Sequence, residues 1–290
     1  MKSKRFELLD AVITAFLVIF ALSIILPFWN VVVISFATQK EYMLRPLMMF
    51  PKTPSLESYR YLFRDGRILT GFGTTLKILV LGVPVNLFLT TSMAYGLSRT
   101  AFPFKKLLLG AVLLTMLFNG GIIPLYLVVK ELGLTNSLWS VVLATGVNTF
   151  YLILMRSYFL SLPESLMESA RLDGAGEWNI LLRIVLPLSM PIMATITLFY
   201  AVDRWNEWYN GMIFLRKASL KPLQLVLREI ILEAQTLAQA ETSGASVEDP
   251  LFSNGMKMSA VVVTIVPVMC IFPVLQKHFV KGVMVGAIKS

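Results

Sequence analysis

Residues 168–187 read ESARLDGAGEWNILLRIVLP, a polar interruption between two strongly apolar runs. Its punctuation is that of two short helices joined by a turn. Ser161 and Glu164 stand just upstream at capping-box spacing, with Pro163 in the first turn. That predicts a helix over Leu162–Leu172. Asp173-Gly174-Ala175-Gly176 ends it, because glycine supplies the left-handed backbone that a helix C-terminus often needs. A second helix is expected over Glu177–Val185, and Leu186, preceding Pro187, is biased away from helical geometry. A helix–turn–helix set between two membrane spans is a surface feature offered to a partner.

The chain around this stretch has the composition of an integral membrane protein. It has 290 residues, 56% of them hydrophobic and only 15% charged, with mean hydropathy +0.72. A soluble domain carries about 25% charged residues. The net charge of +9 resides in loops and termini, which points to anionic lipid headgroups and cytoplasmic anchoring and away from nucleic acid. Cys270 is the only cysteine, so an intrachain disulfide is excluded; with His278 as the only histidine, so is a metal site of the usual kind. Lys2-Ser3-Lys4-Arg5 precedes a long apolar run with no small-residue cleavage pattern after it, which reads as a retained first span.

Crossing the hydrocarbon core takes about twenty helical residues. Six runs meet that criterion: Ala11–Phe36, Thr74–Leu97, Leu107–Val129, Leu138–Phe159, Leu188–Met212 and Ser259–Phe279. The expected fold class is therefore an all-α integral membrane protein with six transmembrane helices, the first broken or tilted at Pro27. An even number places both termini on one side. Lys2, Lys4, Arg5, Arg99, Lys105, Lys106, Lys277, Lys281 and Lys289 mark that side as cytoplasmic, and the Glu168 loop falls there too. The long external loop Gln39–Gly73 holds Lys40, Arg45, Lys52, Arg60, Arg64 and Arg67 against this trend, but long loops obey the rule poorly.

That first external loop is rich in proline and aromatic residues and is expected to be partly ordered, with a short helix over Ser55–Phe63. The second, Lys130–Ser137, is short. In the third, Pro222–Glu233 places Leu223, Leu227 and Ile230 on one helical face, and Ala234–Asn254 is polar and flexible in composition. A loop of that size is uncommon unless it binds something or is disordered, and binding is the favoured reading. Glycines and prolines within the spans suit kinked helices that rock around a central path, or equally close helix packing.

The chain lacks its own energy source. It has no Gly-x4-Gly-Lys-Ser/Thr loop to cradle ATP phosphates. Ion-coupled transport needs ionisable groups at membrane depth, and here Asp203, Arg204 and Glu207, with Trp205 and Trp208, are expected near the outer end of span five. No Ser/His pair, metal-binding pair or acidic dyad sits at depth, so an intramembrane enzyme is disfavoured. Power from a separate ATPase chain remains, coupled through the Glu168 loop. A short helix seated in a cleft of that ATPase moves as a rigid body when the cleft closes. The rivals are an ion-coupled carrier acting alone and the same permease architecture serving another class of solute.

Glu168, Ser169, Ala170, Gly174, Ile184, Leu186 and Pro187 resemble the EAA loop of bacterial ABC-importer permeases, E-A-A-x3-G-x9-I-x-L-P, with serine replacing the middle alanine. Trp205-Asn206-Glu207 and the ending from Pro267 through Gln276 to Lys289 resemble the carbohydrate-uptake branch, and within it the maltose-type second permease. The resemblance is strongest to the lipoprotein- and polysaccharide-type oligosaccharide permeases, whose relatives carry acidic oligosaccharides such as alginate fragments. It implies a type I ABC importer fold, with residues 1–73 forming the first helix and external loop. Residues 74–290 then form the permease core, with coupling loop 161–187 and external loop 213–258. It also implies a heterodimer with a second homologous permease, two ATPase subunits that use ATP and Mg, and an extracytoplasmic sugar-binding protein. The chain itself is then no enzyme and binds no cofactor; its expected place is the bacterial cytoplasmic membrane. Glu168, Ser169, Ala170, Asp173, Gly174, Ile184, Leu186 and Pro187 are the ATPase-coupling candidates, and Gly286, Ala287, Ile288 and Lys289 form a tail directed at the ATPase. Candidates for the substrate path are Asn86, Asn119, Asn148, Tyr151, Tyr200 and Asn206, each equally readable as a helix–helix hydrogen bond. The basic residues of the external side point weakly to an anionic substrate or an acidic face on the binding protein.

Overall fold

The computed structural model describes residues 4–64, 66–99, 103–242 and 253–287, and among these every regular element is helical. In order they are α1 (Lys4–Ser35), α2 (Gln39–Leu44), α3 (Glu57–Phe63), α4 (Arg67–Ser98), α5 (Lys105–Leu117), α6 (Ile122–Glu131), α7 (Leu138–Ala144) and α8 (Thr149–Leu160). There follow α9 (Glu164–Leu172), α10 (Glu177–Ile180), a π-helical turn over Leu181–Val185, α11 (Leu186–Leu188) and α12 (Met190–Trp205). The chain closes with α13 (Tyr209–Phe214), a 3₁₀ turn over Ala218–Leu220, α14 (Leu223–Thr242) and α15 (Ser253–Ala287).

Among the described residues, three stretches are long and apolar enough to cross a membrane as single helices: Leu9–Ser35, Arg67–Ser98 and Ser253–Cys270. Three more qualify only as bent pairs: α5 with α6 at 120°, α7 with α8 at 56°, and Glu177–Leu188 with α12 at 85°. The chain is a membrane-spanning helical protein. The spans expected over Leu107–Val129, Leu138–Phe159 and Leu188–Met212 correspond to these bent pairs, in keeping with the kinks that their glycines and prolines suit. At the first bend Asn119 Oδ1 accepts a 2.9 Å hydrogen bond from the N–H of Gly121, whose φ of +88° suits glycine alone. Of the two readings at Pro27, a break or a tilt, the break does not form, since α1 runs continuously through it. Apolar helices tolerate an internal proline where surroundings re-satisfy the backbone.

The chain divides into two compact units, Met1–Ile68 with Leu227–Val268 and Leu69–Val226 with Met269–Ser290. In the first unit α1 is apolar on all sides, and Val12, Phe16, Ile19 and Phe20 are exposed, as suits a helix bathed in lipid. The loop after it is ordered. Trp29 Nε1 donates to the Met49 carbonyl at 2.8 Å, and Glu41 accepts the main-chain N–H groups of Lys52 at 2.6 Å and Thr53 at 3.3 Å. Tyr59 on α3 pairs with Ser35 at 2.8 Å. Leu227, Ile230 and Ala234 of α14 are buried, and Glu233 receives both terminal nitrogens of Arg67 at 2.9 Å. The polar second part of this loop is helical up to Thr242, a correction to the flexible segment expected from Ala234; residues 243–252 lie outside the described residues.

In the second unit, one buried cluster joins four elements. Ala94 and Tyr95 of α4, Met155 and Phe159 of α8, and Ile192, Ile196 and Tyr200 of α12 pack with Met167, Ile180, Leu181 and Val185 of the segment 161–187. That shared core fixes the hairpin to the spans.

Candidate functional site

The hairpin begins at α9. Pro163 takes the N-cap position with no side-chain capping bond, so the Ser161–Glu164 capping box does not form; the Ser161 hydroxyl donates instead to the Tyr158 carbonyl at 2.7 Å. The C-terminal end follows the sequence closely. Gly174 lies at φ +82°, its N–H reaches the Arg171 carbonyl at 3.0 Å, and the Ala175 N–H reaches the Ala170 carbonyl at 2.9 Å. This pair of bonds is the Schellman arrangement, which satisfies two carbonyls of the last turn.

The second arm departs from expectation. Leu186 is helical (φ −62°, ψ −48°), and the helix persists through Pro187 before breaking at Ser189 (φ −101°, ψ 11°). The π-helical turn directly precedes the proline, where a regular helix would suffer from the missing N–H and the ring's clash with an upstream carbonyl.

Between the arms, Arg171 Nε donates to Glu177 Oε1 at 2.9 Å, and the Tyr95 hydroxyl donates to Glu177 Oε2 at 2.5 Å. The bond to Glu177 holds the Arg171 guanidinium above its usual pKa. Arg99 lies 4.6 Å over the Tyr95 ring and contacts the Met167 sulfur. These groups, with Trp178, line a cleft of about 520 Å³.

The hairpin has two faces. Met167, Ile180, Leu181 and Val185 face the core, whereas Leu172 is 89% exposed and Trp178 61%, with Leu166 and Leu182 also exposed. Glu168, Ser169, Asp173, Gly174 and Pro187 are exposed as well, while Ala170, Ile184 and Leu186 are half-buried. Of the tail, Gly286 and Ala287 end α15, and Ile288 and Lys289 lie outside the described residues.

A second polar cluster stands inside the spans. Arg204 is only 2% exposed. It donates to Asn86 Oδ1 at 3.0 Å, the Val141 carbonyl at 3.0 Å, the Thr145 carbonyl at 2.9 Å and Thr145 Oγ1 at 2.7 Å, with Glu207 at 3.7 Å. The two carbonyls belong to the end of α7, where the span breaks and helical partners run out. Gly82 makes room, since a Cβ there would stand 3.2 Å from Arg204 Cδ and 3.3 Å from Val142 Cγ2.

The path candidates separate accordingly. Asn86 is buried and also donates to the Gly146 carbonyl at 2.8 Å, and buried Tyr200 pairs with Thr90 at 2.6 Å and accepts the Asn148 N–H at 3.1 Å. These two make helix–helix bonds. Asn148 caps α8 through the N–H groups of Phe150 and Tyr151. Asn119 is exposed at the α5–α6 bend, away from this cluster in sequence and contacts. Asn206 is exposed after α12, donating to the Val202 carbonyl at 3.0 Å. Tyr151 donates to Asp203 Oδ2 at 3.0 Å. The clamping role of Arg204 escaped the sequence reading, although a charged Asp-Arg pair in one apolar run and an asparagine in another were its signal.

Bent apolar helices, buried polar staples and a helical hairpin that exposes Leu172 and Trp178 define a polytopic helical membrane protein. No family model matches the chain. It is 40% identical over 290 residues, the full length of both chains, to the polygalacturonan/rhamnogalacturonan transport system permease protein YtcP of Bacillus subtilis (strain 168). It is also 40% identical over 267 residues to protein LplC of the same organism, covering 92% of this chain and 90% of that one. Among solved structures, a bacterial ABC transporter involved in the import of the acidic polysaccharide alginate matches with TM-score 0.83 and 30% identity, over 96% of this chain and 99% of the other. The chain belongs to the permease subunits of ABC transport systems.

Proposed function

We propose that this chain is a permease subunit of an ATP-driven, binding-protein-dependent importer of oligosaccharides in the bacterial cytoplasmic membrane. The fold is the six-span type I arrangement, three spans single and three bent, with both termini and the hairpin cytoplasmic. The chain forms the translocation path with a second, homologous permease. An extracytoplasmic binding protein delivers the sugar, and two separate ATPase subunits bind and hydrolyse ATP with Mg. Segment 161–187 is the coupling element.

One observation carries this reading: the hairpin shares its inner face with the buried core of α4, α8 and α12 and presents Leu172 and Trp178 outward. Large apolar side chains on a polar loop outside the membrane mark a surface that another protein covers. A push on the outer face is passed inward through Met167 and Ile180, because packed cores shift as units. The relatives named for polygalacturonan, rhamnogalacturonan and alginate support a saccharide cargo that includes acidic oligosaccharides. The test is uptake by the assembled importer in proteoliposomes. Uptake that stops when the ATPase's catalytic carboxylate is replaced supports this function; uptake that instead follows an ion gradient contradicts it.

A further inference from the structure

Helix α4 serves as a ruler for depth. At about 1.5 Å per residue, Asn86 lies about 18 Å along α4 from Ser98 and about 28 Å from Arg67. With a hydrocarbon core about 30 Å thick, that puts Asn86 near the middle of the bilayer. Arg204 is bonded to Asn86, and Tyr200, one turn earlier on α12, is bonded to Thr90, one turn further along α4. Asp203 sits between these levels. On this ruler Asp203 falls nearer mid-depth than its place near the end of the apolar run suggests.

Asp203 is nevertheless exposed on this chain. An ionisable group deep in the bilayer is costly, and such groups face a bundle interior or a water-filled cavity. The face that carries Asp203 thus looks onto water or protein. Tyr151, which donates to Asp203, has Phe199 at a ring-centroid distance of 5.3 Å and the exposed Phe150 at 6.1 Å. The break between α7 and α8 lies beside them, capped by Asn148. Transporters build midplane substrate sites from such discontinuous helices.

We propose that Asp203 and Tyr151 form a saccharide subsite on this subunit, taking an uncharged sugar ring at mid-depth. The ring rests against the aromatic faces of Phe150 and Tyr151, and its hydroxyls donate to the carboxylate of Asp203. A uronate ring is disfavoured at this position because its own carboxylate meets Asp203. The inference rests on the oligosaccharide reading above and adds to it the residues and the charge preference of one step in the path.

The experiment uses the complete importer with its binding protein in proteoliposomes, given neutral arabinan, xylan and galactan tetrasaccharides and a galacturonan tetrasaccharide. Asp203→Asn is expected to lower uptake of the neutral sugars at least tenfold and raise the ratio of uronate to neutral uptake. The permease pair should remain assembled. Tyr151→Phe keeps the ring and loses the bond to Asp203, and is expected to lower neutral uptake about threefold. Unchanged neutral uptake in Asp203→Asn overturns the subsite, as does wild-type uptake restricted to the uronate. Dissociation of the permease pair in that variant overturns it too, assigning Asp203 to the partner chain. Wild-type uptake of no saccharide at all removes the oligosaccharide reading itself, and the subsite with it.

Discussion

The hydroxyl of Tyr95, in the last turns of α4, donates to Glu177 Oε2 at 2.5 Å, while Arg171 on the opposite arm of the hairpin holds the other oxygen at 2.9 Å. One carboxylate thereby ties both arms of the hairpin to a membrane span. Tyr95 is buried in the cluster that also holds Met167 and Ile180, so the polar tie and the apolar core act on the same pair of elements.

Removing this tie should loosen coupling more than folding. A hydrogen bond to a charged group contributes about 1.5–3 kcal/mol, and the half-exposed side chain of Glu177 brings that down to about 1 kcal/mol. Tyr95→Phe and Glu177→Gln should each leave the thermal unfolding midpoint nearly unchanged and raise the ATP hydrolysed per sugar imported severalfold. The ratio is measured directly in proteoliposomes.

Gly174 offers a graded series. Nothing lies within 4 Å of where its Cβ would be, so the cost of a side chain comes from the φ of +82° alone. Gly174→Ala should destabilise the hairpin by about 1–2 kcal/mol, and Gly174→Asn by less. Gly174→Pro, whose ring fixes φ near −65°, should break the turn and uncouple ATP hydrolysis from transport. Membrane insertion should survive in all three. Binding-protein-stimulated hydrolysis across the series checks the order.

Arg204 is the most sensitive position inside the spans. Truncation to methionine removes the donor of Asn86 Oδ1 and leaves the Val141 and Thr145 carbonyls only the longer bonds from Thr145 Oγ1 at 3.3 Å and Asn86 Nδ2 at 3.4 Å. Breaking a buried charged network of this kind costs about 3–5 kcal/mol. Arg204→Lys should recover only part, since a single ammonium cannot reproduce the guanidinium fork. Thermal unfolding in detergent ranks wild type, lysine and methionine in that order.

Much of the hairpin was legible in sequence because its signals are local. Gly174 marks a left-handed turn whatever surrounds it, and Leu223, Leu227 and Ile230 share a face by helical period alone; all three are buried. Kinks were legible in the glycines and prolines of these spans, but the angles of the bends were not, because averaged hydropathy runs smoothly across Asn119-Gly120-Gly121 and across Ser189. The partners of Arg204 escaped as well, because Asn86, Val141 and Thr145 lie on other elements, distant in sequence. The capping box failed because Pro163 itself took the N-cap.

Acid should open the first external loop. The Lys52 N–H, joined by Thr53, holds the Glu41 carboxyl below its ordinary pKa. A carboxyl with a lowered folded pKa contributes stability above its unfolded value and loses it as pH falls toward the folded one. The clasp should thus hold at neutral pH and weaken as pH drops from about 4.5. Hydrogen exchange at the Lys52 and Thr53 amides, corrected for intrinsic rates, should rise over that window in wild type and show no such rise in Glu41→Gln.

The central claim is that the outer face of the hairpin is seated in an ATPase subunit. It is tested most directly by placing a photo-crosslinker on a cysteine at Leu172, in a Cys270→Ser background, within the assembled importer. A covalent adduct with the ATPase subunit is expected, with a yield that changes between the ATP-bound and nucleotide-free states. Crosslinking to lipid or to the extracytoplasmic binding protein, with no ATPase adduct in either state, would contradict it.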